Sequence, residues 1–230
     1  LEICETTIVN GNGNTIRCGE RVGTLMRIAP GVRVEFRNVV LEDLFPAAIE
    51  VGVGGMLVFG NGVKIRLGRG GCLSAAWRLS GGTVVIEGLD DILTLTDAAG
   101  LIIEDGATCI LCRCTLEGVL GRRLDLLGKG SNLLLDSAQV RLAGDSSFLT
   151  GSIEVSGTSR IGGPHALYWY SSEQCLIRSG GRLEVGDFCH LFYNPLFPRS
   201  DGIACQDATA TLALSNCCVE TVDKALRMTE

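Results

Sequence analysis

Charge of either sign is scarce in this chain: 20% of its 230 residues are charged, and the formal net charge is −6. Recognition of a nucleic-acid backbone needs clustered Lys and Arg to displace counterions. The densest basic patch is only Arg122-Arg123 near Lys129, which reads as a solvated edge, so no nucleic-acid partner is expected. Long apolar runs are missing too. Each is broken by a charge or Gly-Gly within about 18 residues, which leaves no candidate membrane span. Aromatics make up 5% of the chain and there are only 2 histidines, His165 and His190. No signal peptide is read, and the first residue is Leu1 rather than Met, which leaves a processed precursor open.

Hydrophobic residues reach 46%, which excludes a disordered chain. Glycine is abundant, at 31 residues, and its placement explains the excess. The stretch Gly31 to Leu44 holds a glycine, an alternating strand, an asparagine corner and a second short strand, and the same pattern recurs every 20 to 30 residues. Its inward pairs are Val34 and Phe36, Leu57 and Phe59, Val84 and Ile86, Cys109 and Leu111, Leu133 and Leu135, and Ile153 and Val155. Leu183 and Val185, then Leu212 and Leu214, are read as the last two. Two positions after each pair stands Asn38, Asn61, Gly88, Arg113, Ser137, Gly157, Asp187 or Asn216, a column of residues suited to corners. A further short apolar strand precedes each pair. Units that cannot bury their apolar side chains alone must stack.

The expected fold is therefore all-β, a solenoid of about three short strands per coil and eight to nine coils, roughly 40 Å long at an inter-strand spacing of ~4.8 Å. It forms one domain over residues 1–230, with an opening coil over 1–30 and regular coils over 31–223. Insertions are expected near 162–174 and 190–203, and a C-terminal cap over 219–230. The Ile-Val-Asn-Gly-Asn-Gly-Asn-Thr-Ile opening, followed by coils with an Asn corner, resembles the right-handed parallel β-helix of the pectin-lyase-like superfamily. The resemblance implies a right-handed, single-stranded β-helix. That fold hosts lyases, hydrolases, adhesins and phage spikes, so function must be read from the site.

Hydrolases of this kind carry Asn-Thr-Asp, an Asp-Asp pair, Gly-His-Gly and Arg-x-Lys on successive coils. Only an Asp-Asp pair is found here, at Asp90-Asp91, and both histidines lie elsewhere. Neither that pair nor Glu104-Asp105 has a carboxylate above or below it in this register, as work on a sugar would need. No catalytic residue and no cofactor are assigned, and a lyase or glycoside hydrolase is the reading if the chain is an enzyme.

Of the 11 cysteines, the run Cys109-x-x-Cys112-x-Cys114 diverges on a strand, Cys109 inward and Cys112 outward, which favours core packing over a metal site. Cys189 and Cys218 each lie six positions past an anchor and are expected to stack on neighbouring coils, bonded or merely adjacent, with Cys175 and Cys205 also close.

Aromatics concentrate in one window. Tyr168, Trp169, Tyr170, Phe188, Phe192, Tyr193 and Phe197 fall there together with His190, Arg199 and Asp201. Tyr168, Trp169, Tyr170, His190, Phe192, Tyr193 and Phe197 are the candidate binding patch, for a glycan or a protein ligand. The packing alternative is two loops that cover one flank. The functional expectation is a non-catalytic extracellular or cell-surface structural protein, adhesin-like, that forms homo-oligomers or filaments through coil ends or flat faces. The alternative is a carbohydrate-active enzyme or glycan-binding module.

Overall fold

The computed structural model describes residues 1–17, 26–44, 49–67, 77–88, 92–94, 100–187, 189–193, 202–221 and 226–227. Among them are 28 strands and no helix. Strand pairing is parallel throughout, and roughly three strands make each coil of a β-solenoid. One face is a six-stranded sheet of Glu2–Ile3 (β1), Met26–Ile28 (β4), Ile49–Val51 (β7), Trp77–Ser80 (β10), Leu101–Ile103 (β13) and Leu124–Leu126 (β16).

The second face runs the length of the molecule as ten strands. They are Thr7–Asn10 (β2), Arg33–Arg37 (β5), Met56–Phe59 (β8), Thr83–Glu87 (β11), Thr108–Cys112 (β14), Asn132–Asp136 (β17), Ser152–Ser156 (β19), Cys175–Ile177 (β22), Ile203–Cys205 (β25) and Leu226–Arg227 (β28). Alternation sends every second side chain inward. Val34, Leu57, Val84, Cys109, Leu133 and Ile153 thus lie in one buried file, and Phe36, Phe59, Ile86, Leu111, Leu135 and Val155 in the next. A fully buried aliphatic side chain contributes about 1.5–3 kcal/mol, so each coil is held mainly by the coils it touches.

The third face begins with Thr15–Arg17 (β3), Val40–Leu44 (β6) and Lys64–Leu67 (β9). Beside β9 lies Ile92–Thr94 (β12), which pairs with Thr115–Gly121 (β15), and β15 pairs with the ten-residue Gln139–Phe148 (β18). This last strand changes the solenoid. Its Gln139–Arg141 end pairs with Thr158–Gly162 (β20), and its Ser146–Phe148 end pairs with Ala166–Trp169 (β21). From it two arms rise, one through β20, Arg182–Gly186 (β23) and Thr211–Leu214 (β26), the other through β21, His190–Tyr193 (β24) and Cys218–Thr221 (β27).

The corner column has a structural basis. Asn38, Arg113, Ser137, Gly157, Asp187 and Asn216 all have φ between 47° and 59°. At the Asn61 corner the left-handed residue is the next one, Gly62, where a Cβ would lie 2.4 Å from Asn38 Oδ1.

Three expectations are corrected. Leu183 and Leu212 do face each other, but on β23 and β26 of the forked sheet. The file that passes through Ile153 continues instead to Cys175 and Ile203. The 20-to-30 spacing is met by either choice, and Leu and Val are the more familiar inward residues, which is why the frame slips by one face. Residues 162–174 are accordingly no insertion, because β21 is a rung of the solenoid. The stretch near 190–203 likewise starts with a rung, β24, while 194–201 lie outside the described residues. At the C-terminus the described residues of the expected cap are strands, β27 and β28, which extend two faces.

Candidate functional site

The fork places the aromatic window on the outside of the second arm. In the register of β21 and β24, Ala166 faces His190, Tyr168 faces Phe192 and Trp169 faces Tyr193. Alternation turns Leu167, Trp169 and Leu191 into the core, and Tyr168, His190 and Phe192 outward. Tyr170 follows the end of β21, its N–H donating to the Phe148 carbonyl at 2.9 Å. The rings of Tyr168 and Tyr170 stack in parallel at 5.9 Å and 2°. Phe192 packs edge-on against Tyr168 at 5.5 Å, and His190 stands at 87° to Phe192 at 6.4 Å. All four side chains are half-buried.

The next strand closes the patch with acid. Phe192 faces Glu220 and His190 faces Cys218. His190 Nε2 lies 3.2 Å from Glu220 Oε2, an ion pair once the imidazole is protonated, although the approach is not aligned as a hydrogen bond. Sequence reasoning missed Glu220. Its signal was there, one coil beyond Phe192, but the slipped frame pointed elsewhere.

The structure thus brings Tyr168, Tyr170, His190 and Phe192 together and separates Trp169 from them. Trp169 is 4% exposed, its ring 5.7 Å from Phe148. Its Nε1–H is buried without a partner beside an apolar cavity of about 30 Å³ lined by Leu167, Leu183, Val185 and Leu191 among others. The backbone of Tyr193 belongs to β24, but its side chain, together with Phe188, Phe197, Arg199 and Asp201, lies outside the described residues.

Cys4, Cys109, Cys112, Cys175, Cys189, Cys217 and Cys218 are free thiols. Cys189 and Cys218 were expected to stack, but the register is one residue different: Cys218 faces His190, so Cys189 lies beside Cys217. The Cys218 N–H donates to the Cys189 carbonyl at 3.1 Å, yet Cys189 is buried and Cys218 exposed, on opposite sides of the wall. A one-residue slip reverses a side chain between core and solvent. Cys175 and Cys205 sit on neighbouring strands, two positions out of register. Burial pushes the Cys175 thiol up to about 12, aided by Cys205, and the Cys189 thiol up to about 11, aided by Cys217. Cys109 points inward, and burial, aided by Cys114, raises it strongly. Cys112 points outward, 3.6 Å from Asp136 Oδ2, and burial is the largest cause of its rise to about 11. These thiols are protonated at neutral pH, which makes them poor nucleophiles. Among the described residues no three His, Cys, Asp or Glu side chains group as ligands for a metal ion.

The carboxylates serve the wall. Glu104 accepts from Arg78 at 3.1 Å and from Ser80 Oγ at 2.5 Å, and Asp105 Oδ1 accepts from the Gly130 N–H at 2.7 Å. Arg122 partly offsets the upward push that burial gives the Asp125 carboxyl. Asp90 and Asp91 lie outside the described residues. No described helix is long and apolar enough to cross a membrane. No family model matches the chain, and no curated protein and no solved structure matches it either.

Proposed function

We propose that the chain is a non-catalytic structural β-solenoid, right-handed like the pectin-lyase-like proteins it resembles, that works at a cell surface or outside it by presenting flat faces to partners, a second copy of itself among them. The observation that carries this reading is how the acids are used. Arg27 with Glu50 at 2.6 Å, Arg78 with Glu104, Arg113 with Glu87, Arg141 with Glu117 at 2.5 Å and Arg178 with Glu154 each tie one coil to its neighbour. Acid–base work on a sugar needs two carboxylates left free to converge on one bond. Here these acids are spent on holding coils in register. Incubation with pectate or galacturonan is expected to release no reducing ends, while sedimentation shows self-association. Depolymerisation that is lost in Asp91→Asn contradicts the reading.

A second reading, a glycan-binding module, is favoured by one feature, the parallel Tyr168–Tyr170 pair with Phe192 edge-on beside it. Aromatic rings offer large contact area at small entropic cost. A titration with a panel of oligosaccharides, followed by NMR, tests it: binding that weakens about tenfold in Tyr168→Ala supports this reading, and no shift with any sugar removes it.

A further inference from the structure

The outward file of the ten-stranded face has an order that alternation alone does not explain. From the midpoint between β11 and β14 it runs Val85, Val58, Glu35 and Ile8 toward the N-terminal end. In the other direction it runs Ile110, Leu134, Glu154 and Leu176. Each half reads apolar, apolar, acidic, apolar. These eight positions form a palindrome, and Ala204 and Arg227 extend the file beyond it at the C-terminal end. Ile8 is 59% exposed, Val85, Ile110, Leu134 and Leu176 are half-buried, and Val58 alone is already covered at 4%.

A palindromic surface is what an isologous contact requires, since a two-fold axis sets one patch against the same patch reversed. With the axis in the plane of the face, along the strands, Val85 meets the second copy's Ile110, Glu35 its Glu154 and Ile8 its Leu176, while the covered Val58 stands opposite Leu134. The two glutamates do not meet as bare like charges. Glu35 is gripped by Arg37 at 2.6 Å and Arg33 at 3.2 Å, so that end carries two cations on one anion. Glu154 stands between Ser152 and Ser156 on its own strand and shares Arg178 with it from the next coil, with Asp136 one strand away on the other side. The cationic end of one copy therefore falls on the acidic region of the other.

The eight strands that overlap about this axis, at ~4.8 Å apart and five residues of ~3.3 Å, make a face of roughly 34 by 16 Å, about 540 Å² per partner or ~1,100 Å² in total, at the small end of specific interfaces. We infer that a second copy of this chain docks antiparallel on the outer surface of the ten-stranded sheet, about a two-fold axis between Val85 and Ile110. This rests on the reading of the chain as a self-associating module and names the surface that does it.

Sedimentation velocity over a concentration series tests it. The native chain forms a dimer. Ile110→Lys, placed twice at the axis, weakens dimerisation roughly 100-fold, while Ala143→Lys, exposed on β18 of another face, leaves it unchanged. Arg37→Glu and Glu154→Arg each weaken it about tenfold, and the two together restore it to within about threefold. That rescue survives even if Ile110→Lys fails to fold, which far-ultraviolet circular dichroism reports. A native chain that is monomeric throughout overturns both this interface and self-association. A dimer that persists in Ile110→Lys, or a charge swap that rescues nothing, overturns this interface and leaves self-association standing.

Discussion

Up to Asp136 each coil lays its strands in separate sheets, and the interior holds stacked aliphatic side chains, Cys109, Cys114, the Phe36–Phe59 pair with rings 5.8 Å apart, and a cavity of about 20 Å³ beside Phe59 and Ile86. From Gln139 onward one strand bridges two faces, and the interior holds Trp169, Cys175, Cys189 and a cavity. The hydrogen-bonded ladder of the ten-stranded face passes through both regions without a break. A parallel solenoid therefore tolerates a change of cross-section as long as one face keeps its register, because backbone pairing along that face does not depend on what fills the interior. The cost appears in packing: the cavity of the later coils, about 30 Å³, is larger than the one of about 20 Å³ in the earlier coils.

The largest effect is expected at the residue that fills most of that later interior. Trp169→Ala removes a buried indole and should cost about 3–5 kcal/mol, measured by urea unfolding. Trp169→Phe should cost far less, since it also removes an N–H that is buried without a partner. If the two variants are equally damaging, the later coils are packed as tightly as the earlier ones and the contrast fails.

A matched pair sharpens it. Val84 is fully buried and lines neither cavity, and Val84→Ile should cost about 1–3 kcal/mol by overpacking. Val185 lines the larger cavity, and Val185→Ile should gain about 0.8 kcal/mol by placing one methylene in empty space. Thermal or urea unfolding of both variants reads opposite signs, and equal signs contradict the account.

The corner column and the six inward pairs up to Val155 were legible because each rests on a local rule, alternation or a left-handed corner, that neighbouring coils do not alter. Arg113 and Ser137 could be placed at corners by column position although neither is a favoured left-handed residue. The fork was not legible. Cys175–Ile177 and Leu183–Val185 both read as an apolar pair at alternate positions, and only the pairing of β18 with two strands decides between them. Half of the aromatic patch followed from composition. Trp169 did not, because composition gathers aromatics without saying which face of a strand each one takes.

Smaller effects test the wall itself. Ser137 holds φ at 54°, and Ser137→Gly should relieve up to about 1 kcal/mol of backbone strain, read as a raised urea midpoint. The arginine pairs predict a pH dependence. Hydrogen bonding from Arg37, with Arg33 assisting, holds the Glu35 carboxyl below its ordinary value. Its contribution to stability is therefore present above the unfolded value of about 4.3 and is lost as the pH falls through the lower folded value. Glu35→Gln should flatten the fall in urea midpoint between about pH 5 and pH 3. A slope unchanged from the native chain contradicts the role given to that ion pair.

The central claim is that a single continuous ladder joins two differently filled regions, and amide hydrogen exchange, followed strand by strand, tests it most directly. In a solenoid each coil is stabilised by its neighbours, so protection is greatest in the middle and falls toward the ends. The account predicts slowest exchange in β14, β17 and β19, with protection declining gradually through β8 and β5 to β2 on one side and through β22 and β25 on the other. An abrupt loss of protection between β17 and β19 would instead mean two independent units, and the continuous ladder would be wrong.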